Sequence, residues 1–340
     1  MTRRRRALAS LTAAVALAAT IAGCGEIANT LHPAAATASN LSVELDYFPN
    51  ADHVGIYEAQ ALGYFRQADL NVQLHAPTNA ATPLQLLEAG KVDVAISYEP
   101  DVLLARNQNI PLVSVAAIVQ RPLTSIVSVG SQRITDPKDL RGKTVGTSGI
   151  PYQSAFLQTI LHQANVPQGS VREVDVGEGL VPAMVSGRVN ATLGAYWNYE
   201  AIQLEQLHKH PNVIHMEKVG VPNYDELVFV VTKAMIVNHA PLIRRFVQAV
   251  ARGYEAARAH PVDAARNLVR MNPGLDYKLQ LASVEATLSS FFPTGNHPWG
   301  WQDPGEWNRF GEWMLRNRLI SNPNATPGAS TNELLAGQGI

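Results

Sequence analysis

Hydrophobic and polar positions along the chain alternate between two periods. LSVELDYF, residues 41–48, alternates with period two and predicts a first strand, which Pro49 and Asn50 break. From His53 to Phe65 the pattern predicts a helix that brings Ile56, Ala59 and Gln60 near one another, with Gly63 close to its end. LNVQLHA at 70–76 predicts a second strand. A helix from Thr82 to Ala89 is ended by Gly90, and VDVAIS at 92–97 predicts a third strand. A short helix over 101–108 precedes the strand PLVSVAAIV. Strands separated by helices of this length build parallel α/β units. No strand count argues for a barrel, and no glycine fingerprint follows the first strand as a dinucleotide fold requires.

A second block begins near Ser131. It predicts a strand at KTVGT, a helix after Pro151, the strand VREVDVG, a helix at LVPAMVSG and the strand VNATLGAYW. LVFVVTKAMI, residues 227–236, is expected to return the chain to the first lobe, and the last third is helical. The two crossings between lobes are expected near Val127–Gly130 and Val228–Thr232. LLEAGKVDVAIS at 86–97 echoes AMVSGRVNATLG at 183–194. Each runs helix, Gly, basic residue, Val, Asp or Asn, then an apolar strand. Two similarly built lobes explain the echo, and so do two ordinary helix–turn–strand joints. Polar and aromatic residues follow both strands, where ligands collect in open α/β sheets.

The first residues change the picture. Four arginines at 3–6 precede an apolar stretch that ends LAATIAGC, the layout of a secretory signal with a lipobox at Cys24. Residues 1–23 are therefore read as a lipoprotein signal peptide, Cys24 as the lipidated residue and residues 24–40 as a flexible tether. Removing residues 1–23 takes four basic residues and no acid, leaving 23 Lys and Arg against 28 Asp and Glu. That balance excludes the basic footprint of nucleic-acid binding. An apolar content of 46% with 16% charged residues excludes a disordered chain. A lone cysteine spent on an anchor excludes an internal disulfide and leaves no thiol for catalysis.

Four clusters carry candidate chemistry. Asp46, Tyr47, Asn50 and His53 sit at the end of the first strand. Asn offers a donor and an acceptor and His a ring with one polar nitrogen, though Asn50 and Asp52 also suit a turn or helix cap. Tyr98 and Glu99 follow the third strand, as an aromatic wall and an acceptor, or as a core edge and a cap. Ser148, Gly149 and Tyr152 lie in GTSGIPYQSAF, whose glycines and following helix can offer backbone N–H groups to an acceptor or anion, or simply form a capped turn. Trp197, Tyr199 and Glu200 lie in GAYWNYEA, where a planar ring can stack on Trp197 while Glu200 accepts its N–H groups. Asn223 and Tyr224 can contribute from the second crossing. There is no HExxH and no GxSxG, so neither a zinc protease nor a serine hydrolase is indicated. Trp299, Trp301 and Trp307 are expected to dock the last helix rather than cover the cleft.

LDYFPNADHVGIYEAQALGYF, GKVDVAISYEP, VSVAAIVQ, DLRGKTVGTSGIP, WNYEAI, VPNYDEL and GYEAARAHP run in order from about residue 41 to 310. Together they resemble the NMT1/THI5-like group of ABC-importer solute-binding proteins. The resemblance implies an α/β, periplasmic-binding-protein-like fold of type II, with two α/β lobes joined by a two-stranded hinge. The corresponding limits are 41–128 and 232–325 for lobe 1, 129–231 for lobe 2 and 326–340 for a C-terminal tail. It implies a non-enzymatic monomer without cofactor or metal, lipid-anchored outside the cytoplasmic membrane, that delivers a small heterocycle to ABC permease and ATPase subunits. The pyrimidine branch, which binds thiamine precursors, is the nearest; Asn50, His53, Trp197 and Glu200 carry over as solute contacts. Tyr47 stands where that branch commonly has tryptophan, which leaves room for riboflavin or another ring. A fungal branch makes a thiamine pyrimidine enzymatically with a cysteine-rich segment and a reactive lysine, which this chain lacks near His53. A surface protein that keeps the fold without transport is the third alternative.

Overall fold

The alternating segment at the head of the body becomes an interior strand. The computed structural model describes residues 38–79, 81–130 and 134–339. Within them β1 (Ser39–Glu44) runs parallel to β2 (Leu70–His75) on one side and β3 (Val94–Ser97) on the other. Helices α1 (Val54–Ala61), α2 (Tyr64–Gln67) and α3 (Pro83–Glu88) connect them. After α4 (Glu99–Asn107) and β4 (Leu112–Val119) the chain enters a second sheet through β5 (Thr124–Ser128). It continues through β6 (Thr144–Thr147), α5 (Pro151–Gln163), β7 (Arg172–Asp175), α6 (Leu180–Val185), β8 (Ala191–Tyr196), α7 (Glu200–Gln206) and β9 (Asn212–His215). β10 (Leu227–Thr232) returns to the first sheet. Four helices follow: α8 (Lys233–Ala259), α9 (Pro261–Met271), α10 (Tyr277–Thr287) and α11 (Pro304–Arg316).

The strand orders are β2-β1-β3-β10-β4 and β7-β6-β8-β5-β9. Each sheet thus has three parallel strands, then an antiparallel strand that arrives directly from a crossing, then a last strand that pairs antiparallel with it and so runs with the first three. β3 and β4 are buried along their whole length, which is why they read as near-continuous apolar runs; β5 is equally buried although Thr124, Ser125 and Ser128 make it largely polar.

The internal echo falls on equivalent joints, α3 to β3 and α6 to β8. Gly90 and Gly187 end the two helices with φ of 65° and 74°, a left-handed turn that glycine adopts without strain. Three residues on, Asp93 accepts the Ser42 N–H of β1 and Asn190 accepts the Thr144 N–H of β6, both at 2.8 Å. The same side-chain position thus ties the third strand to the first in each lobe, and the two-lobe explanation accounts for the echo.

Several expected boundaries change. Val127–Gly130 and Val228–Thr232 fall largely within paired strands, β5 and β10, so the crossings lie earlier, at 120–123 and 216–226. Apolar β-runs are buried by pairing in the sheet they enter, and polar or proline-containing segments such as Gln120–Pro122 and Pro222–Asn223 are left to span the gap. The first strand stops at Glu44 rather than running to 48, which frees residues 46–50 for the cleft. The supposed tail is packed on lobe 1: Ser330 bridges Ser114, and Ala329, Leu334 and Leu335 are buried. Ser39 and Asn40 belong to β1; the rest of the expected tether up to residue 37, the leader 1–23 and Cys24 lie outside the described residues.

One close approach organises lobe 1. A Cβ on Gly253 of α8 would overlap the Gly55 carbonyl oxygen of α1, and one on Gly55 would enter the Tyr254 ring. Two glycines therefore let these helices touch backbone to backbone. α8 itself is broken at His239, φ −137°, two residues before Pro241.

Candidate functional site: a cleft between the lobes

The parallel strands β1, β3, β6 and β8 end toward one another, and the residues just past them enclose a cavity. Its walls include Asp46, Tyr47, Asn50 and Tyr98 from lobe 1 and Ser148, Gln153, Tyr196, Tyr199 and Glu200 from lobe 2. It holds only about 20 Å³, room for roughly one water. Tyr47 donates its hydroxyl hydrogen across the cleft to the Glu178 carbonyl at 2.9 Å, and Phe48 packs edge-on to Tyr199. These are contacts of a closed cleft, and the lobes must part to admit a heterocycle.

Asp46 anchors the lobe 1 wall. Its Oδ1 lies 2.8 Å from His53 Nε2, and its Oδ2 accepts the Tyr98 hydroxyl at 3.0 Å. His53 Nδ1 accepts the Asn50 N–H at 3.2 Å, which puts the imidazole proton on Nε2, donated to Asp46. His53 is fully buried behind the wall and does not line the cavity. Asn50 does line it and also caps the turn Ala51–His53, its Oδ1 accepting the Asp52 N–H at 2.8 Å. The cap and cleft readings of Asn50 hold together.

Glu200 supplies the lobe 2 acceptor. It is 7% exposed; Oε2 accepts the Tyr196 N–H at 2.7 Å, and its remaining acceptor capacity opens on the cavity. Burial pushes its carboxyl up to about 7, opposed by backbone N–H bonds from Tyr196 and Glu200 itself. Tyr199 lines the cavity and accepts Gln280 Nε2 at 2.9 Å; burial raises its hydroxyl to about 12.

Other expected contacts lie elsewhere. Trp197 turns away from Glu200 and donates its indole N–H to the Pro122 carbonyl at 3.0 Å, lining a second cavity on the crossing side. Adjacent residues at the end of a strand point to opposite sides, so Tyr196 faces the cleft in its place. Glu99 faces the crossing, where its Oε2 accepts the Asp225 N–H at 2.8 Å; burial pushes its carboxyl well up. Asn223 donates to Glu306 at 3.0 Å, also in the second cavity. Ser148 lines the cleft, but Gln153 takes its N–H at 2.8 Å, and Gly149 lies against Asp175, so this loop offers no anion cradle. Tyr152 and Tyr224 are fully buried.

Those two tyrosines meet Glu226, a residue the sequence did not mark. Glu226 is fully buried and accepts five hydrogen bonds, from Leu123 N, Thr124 N, Thr124 Oγ1, Tyr152 Oη and Tyr224 Oη, at 2.6–3.1 Å. It joins both crossings and the start of α5. Burial raises its carboxyl, and the donors at Thr124, Leu123 and Tyr224 oppose that rise. Gln153, Ile150, Leu180, Gly194 and Tyr196 also line the cleft without having been singled out. Gly194, at φ 123° beside the irregular β5–β8 register, had a legible signal as a glycine inside a strand. Among the described residues no group of three His, Cys, Asp or Glu is arranged to hold a metal ion.

Residues 50–264 match the family described as NMT1/THI5 like, and the chain belongs to it. It is 34% identical to the formylaminopyrimidine-binding protein of Halalkalibacterium halodurans over 83% of this chain and 87% of that protein. It is 22% identical to the 4-amino-5-hydroxymethyl-2-methylpyrimidine phosphate synthase THI13 of Saccharomyces cerevisiae, over 73% and 75% of the two chains. The alkanesulfonate-binding protein SsuA of Xanthomonas axonopodis pv. citri, bound to MOPS, superposes with a TM-score of 0.67 at 14% identity, covering 88% of this chain and all of that one. The fold is therefore that of type II periplasmic-binding proteins, two α/β lobes on a hinge.

Proposed function

We propose that this NMT1/THI5-like chain is the solute-binding component of an ABC importer, capturing a small nitrogen heterocycle that carries N–H donors, of the aminopyrimidine class. General importer binding is what the family and fold support. The observation that carries the finer reading is Glu200, a buried carboxyl with acceptor capacity turned into a cleft walled by tyrosines. A planar ring is held by the tyrosine faces and fixed in orientation by its N–H groups on Glu200. The cavity walls contain no Lys or Arg, so nothing there balances a sulfonate or nitrate. Nor do the walls offer a thiol or an amine as nucleophile, which favours capture over the pyrimidine-forming chemistry of the yeast relative. Lobe closure then excludes water and presents one closed shape to a permease.

In this reading residues 1–23 direct export, and Cys24 carries the lipid that holds the body at the outer face of the membrane. Labelling cells with a radioactive fatty acid tests the anchor: C24S is expected to lose all label, and retained label rejects it.

The substrate reading is tested by native mass spectrometry of the purified chain against an aminopyrimidine, formylaminopyrimidine, riboflavin and an alkanesulfonate. A one-to-one complex with a pyrimidine, weakened in Glu200→Gln, is the expected result. A complex with riboflavin alone replaces the substrate, and preference for the sulfonate overturns the cleft assignment.

A further inference from the structure

The cavity on the crossing side is much larger than the cleft, about 430 Å³, within the range of small-molecule sites. Both lobes and both crossings wall it. Trp197 and His215 come from lobe 2, Gln120–Pro122, Glu217, Asn223 and Asp225 from the crossings, and Trp301 and Glu306 from lobe 1. None of these residues is used by the cleft.

Its chemistry is one-sided. Four carboxylates, Glu217, Asp225, Asp303 and Glu306, face a single arginine, Arg121. Asp225 is the decisive one. It is 5% exposed, yet among the described residues no cation pairs with it and its one side-chain donor is the Trp307 indole N–H, 2.8 Å from Oδ2. Glu306 Oε2 is already engaged by Asn223 and its Oε1 lies 3.8 Å from the Arg309 guanidinium on the same helix, and Asp303 caps α11. Glu217 is exposed at the rim. The aromatic walls are Trp301, stacked on His297 with ring centroids 4.2 Å apart, and Trp197, tilted beside His215 at 6.0 Å. Aromatic side chains around a buried carboxyl that has no cationic partner are complementary to a cation with an apolar body.

We propose that this cavity is a second binding site, for an alkyl- or arylammonium cation whose charged nitrogen approaches Asp225 Oδ1 while its apolar part lies against Trp197 and Trp301. An anion meets four carboxylates, and a neutral ring offers no charge that would draw Asp225 into its ionised form. Burial and the nearby Glu306 and Asp303 charges push the Asp225 carboxyl up to about 8, and buried Glu99 on α4 abuts it. A bound cation supplies the counter-charge that both lack.

The test uses the purified chain and benzyltrimethylammonium as probe, with benzyl alcohol and benzoate as its neutral and anionic counterparts, by isothermal titration calorimetry at low salt. The expected result is saturable binding of the cation at one site and none of the counterparts. Asp225→Asn and Trp301→Ala are each expected to weaken it at least tenfold, and the rim variant Glu217→Gln, which leaves the core untouched, a few-fold. Glu200→Gln is expected to change nothing. No saturable binding, equal binding of benzoate, or insensitivity to all three cavity variants overturns the proposal. Loss of the signal in Glu200→Gln overturns it too, because the probe is then in the cleft.

Discussion

Glu200 at the cleft and Glu226 at the crossings are both carboxyls removed from water, one 7% exposed and the other fully buried. Five donors converge on Glu226 from three segments of chain, which leaves it no room for another partner. Glu200 accepts from Tyr196 and leans on its own backbone, and the rest of its capacity opens on a cavity. Residue type and burial are therefore the same, and the donor count separates a structural clamp from a recognition group. A saturated buried acceptor fixes geometry. An unsaturated one costs stability until a ligand completes it.

The largest effect should come from breaking the clamp. Glu226→Ala leaves two buried backbone N–H groups, a threonine and two tyrosine hydroxyls without their acceptor. At about 1–3 kcal/mol for each orphaned group the loss should reach roughly 4 kcal/mol or more. Thermal unfolding should show a fall in Tm of several degrees at least. A fall no greater than that of Glu200→Ala would erase the distinction drawn above.

Glu200→Ala should do the reverse, leaving Tm near that of the parent chain while weakening the pyrimidine complex by about 10- to 100-fold, as expected for a lost hydrogen bond to a charged group. Calorimetric titration checks it; an unchanged Kd would remove Glu200 from the site.

Titration of Glu200 sharpens the comparison further. Its carboxyl, ordinarily near 4.5, is raised to about 7 in the free protein. A raised folded-state value means its contribution to stability is complete below pH 4.5 and is lost as pH rises through about 7. Free-protein Tm should thus fall between pH 5 and 8. Solute that donates N–H groups binds the ionised form, so affinity should rise about tenfold between pH 6 and 8. The rise should vanish in Glu200→Gln; a pH-independent Kd in the parent chain counts against the donor–acceptor pairing.

The smallest effect is expected at Trp197. Since its ring lines the crossing-side cavity and its indole N–H is held by Pro122, Trp197→Ala should change pyrimidine affinity by less than about twofold. A tenfold loss would return Trp197 to the site.

Much of the cleft was legible. Asp46, Tyr47, Asn50, Tyr98, Ser148, Tyr199 and Glu200 all follow strands that could be read from apolar runs, and strand ends are where α/β sheets place ligands. The misplacements follow from geometry that spacing does not record. Trp197 and Glu99 occupy suitable sequence positions, but one residue of difference at a strand end turns a side chain to the opposite side, and Asn223 lies on the crossing, where it meets Glu306. His53 had the right chemistry and lies one layer back, because Asp46 needs a buried donor. Glu226 was not legible at all: its donors come from about 2, 74 and 103 residues away in sequence and converge only when both crossings lie side by side.

By itself the sequence determined the local periods, the glycine-ended joints repeated in both lobes, and the set of polar and aromatic residues that follow each strand. Those depend on neighbours in the chain, which composition and spacing record directly. The tertiary structure decided which strand each crossing joins, which face of a strand end meets the cleft, and which buried carboxyl is saturated and which is left open. These depend on groups brought together across the fold, where burial makes an unpaired carboxyl costly and the number of converging donors sets its role.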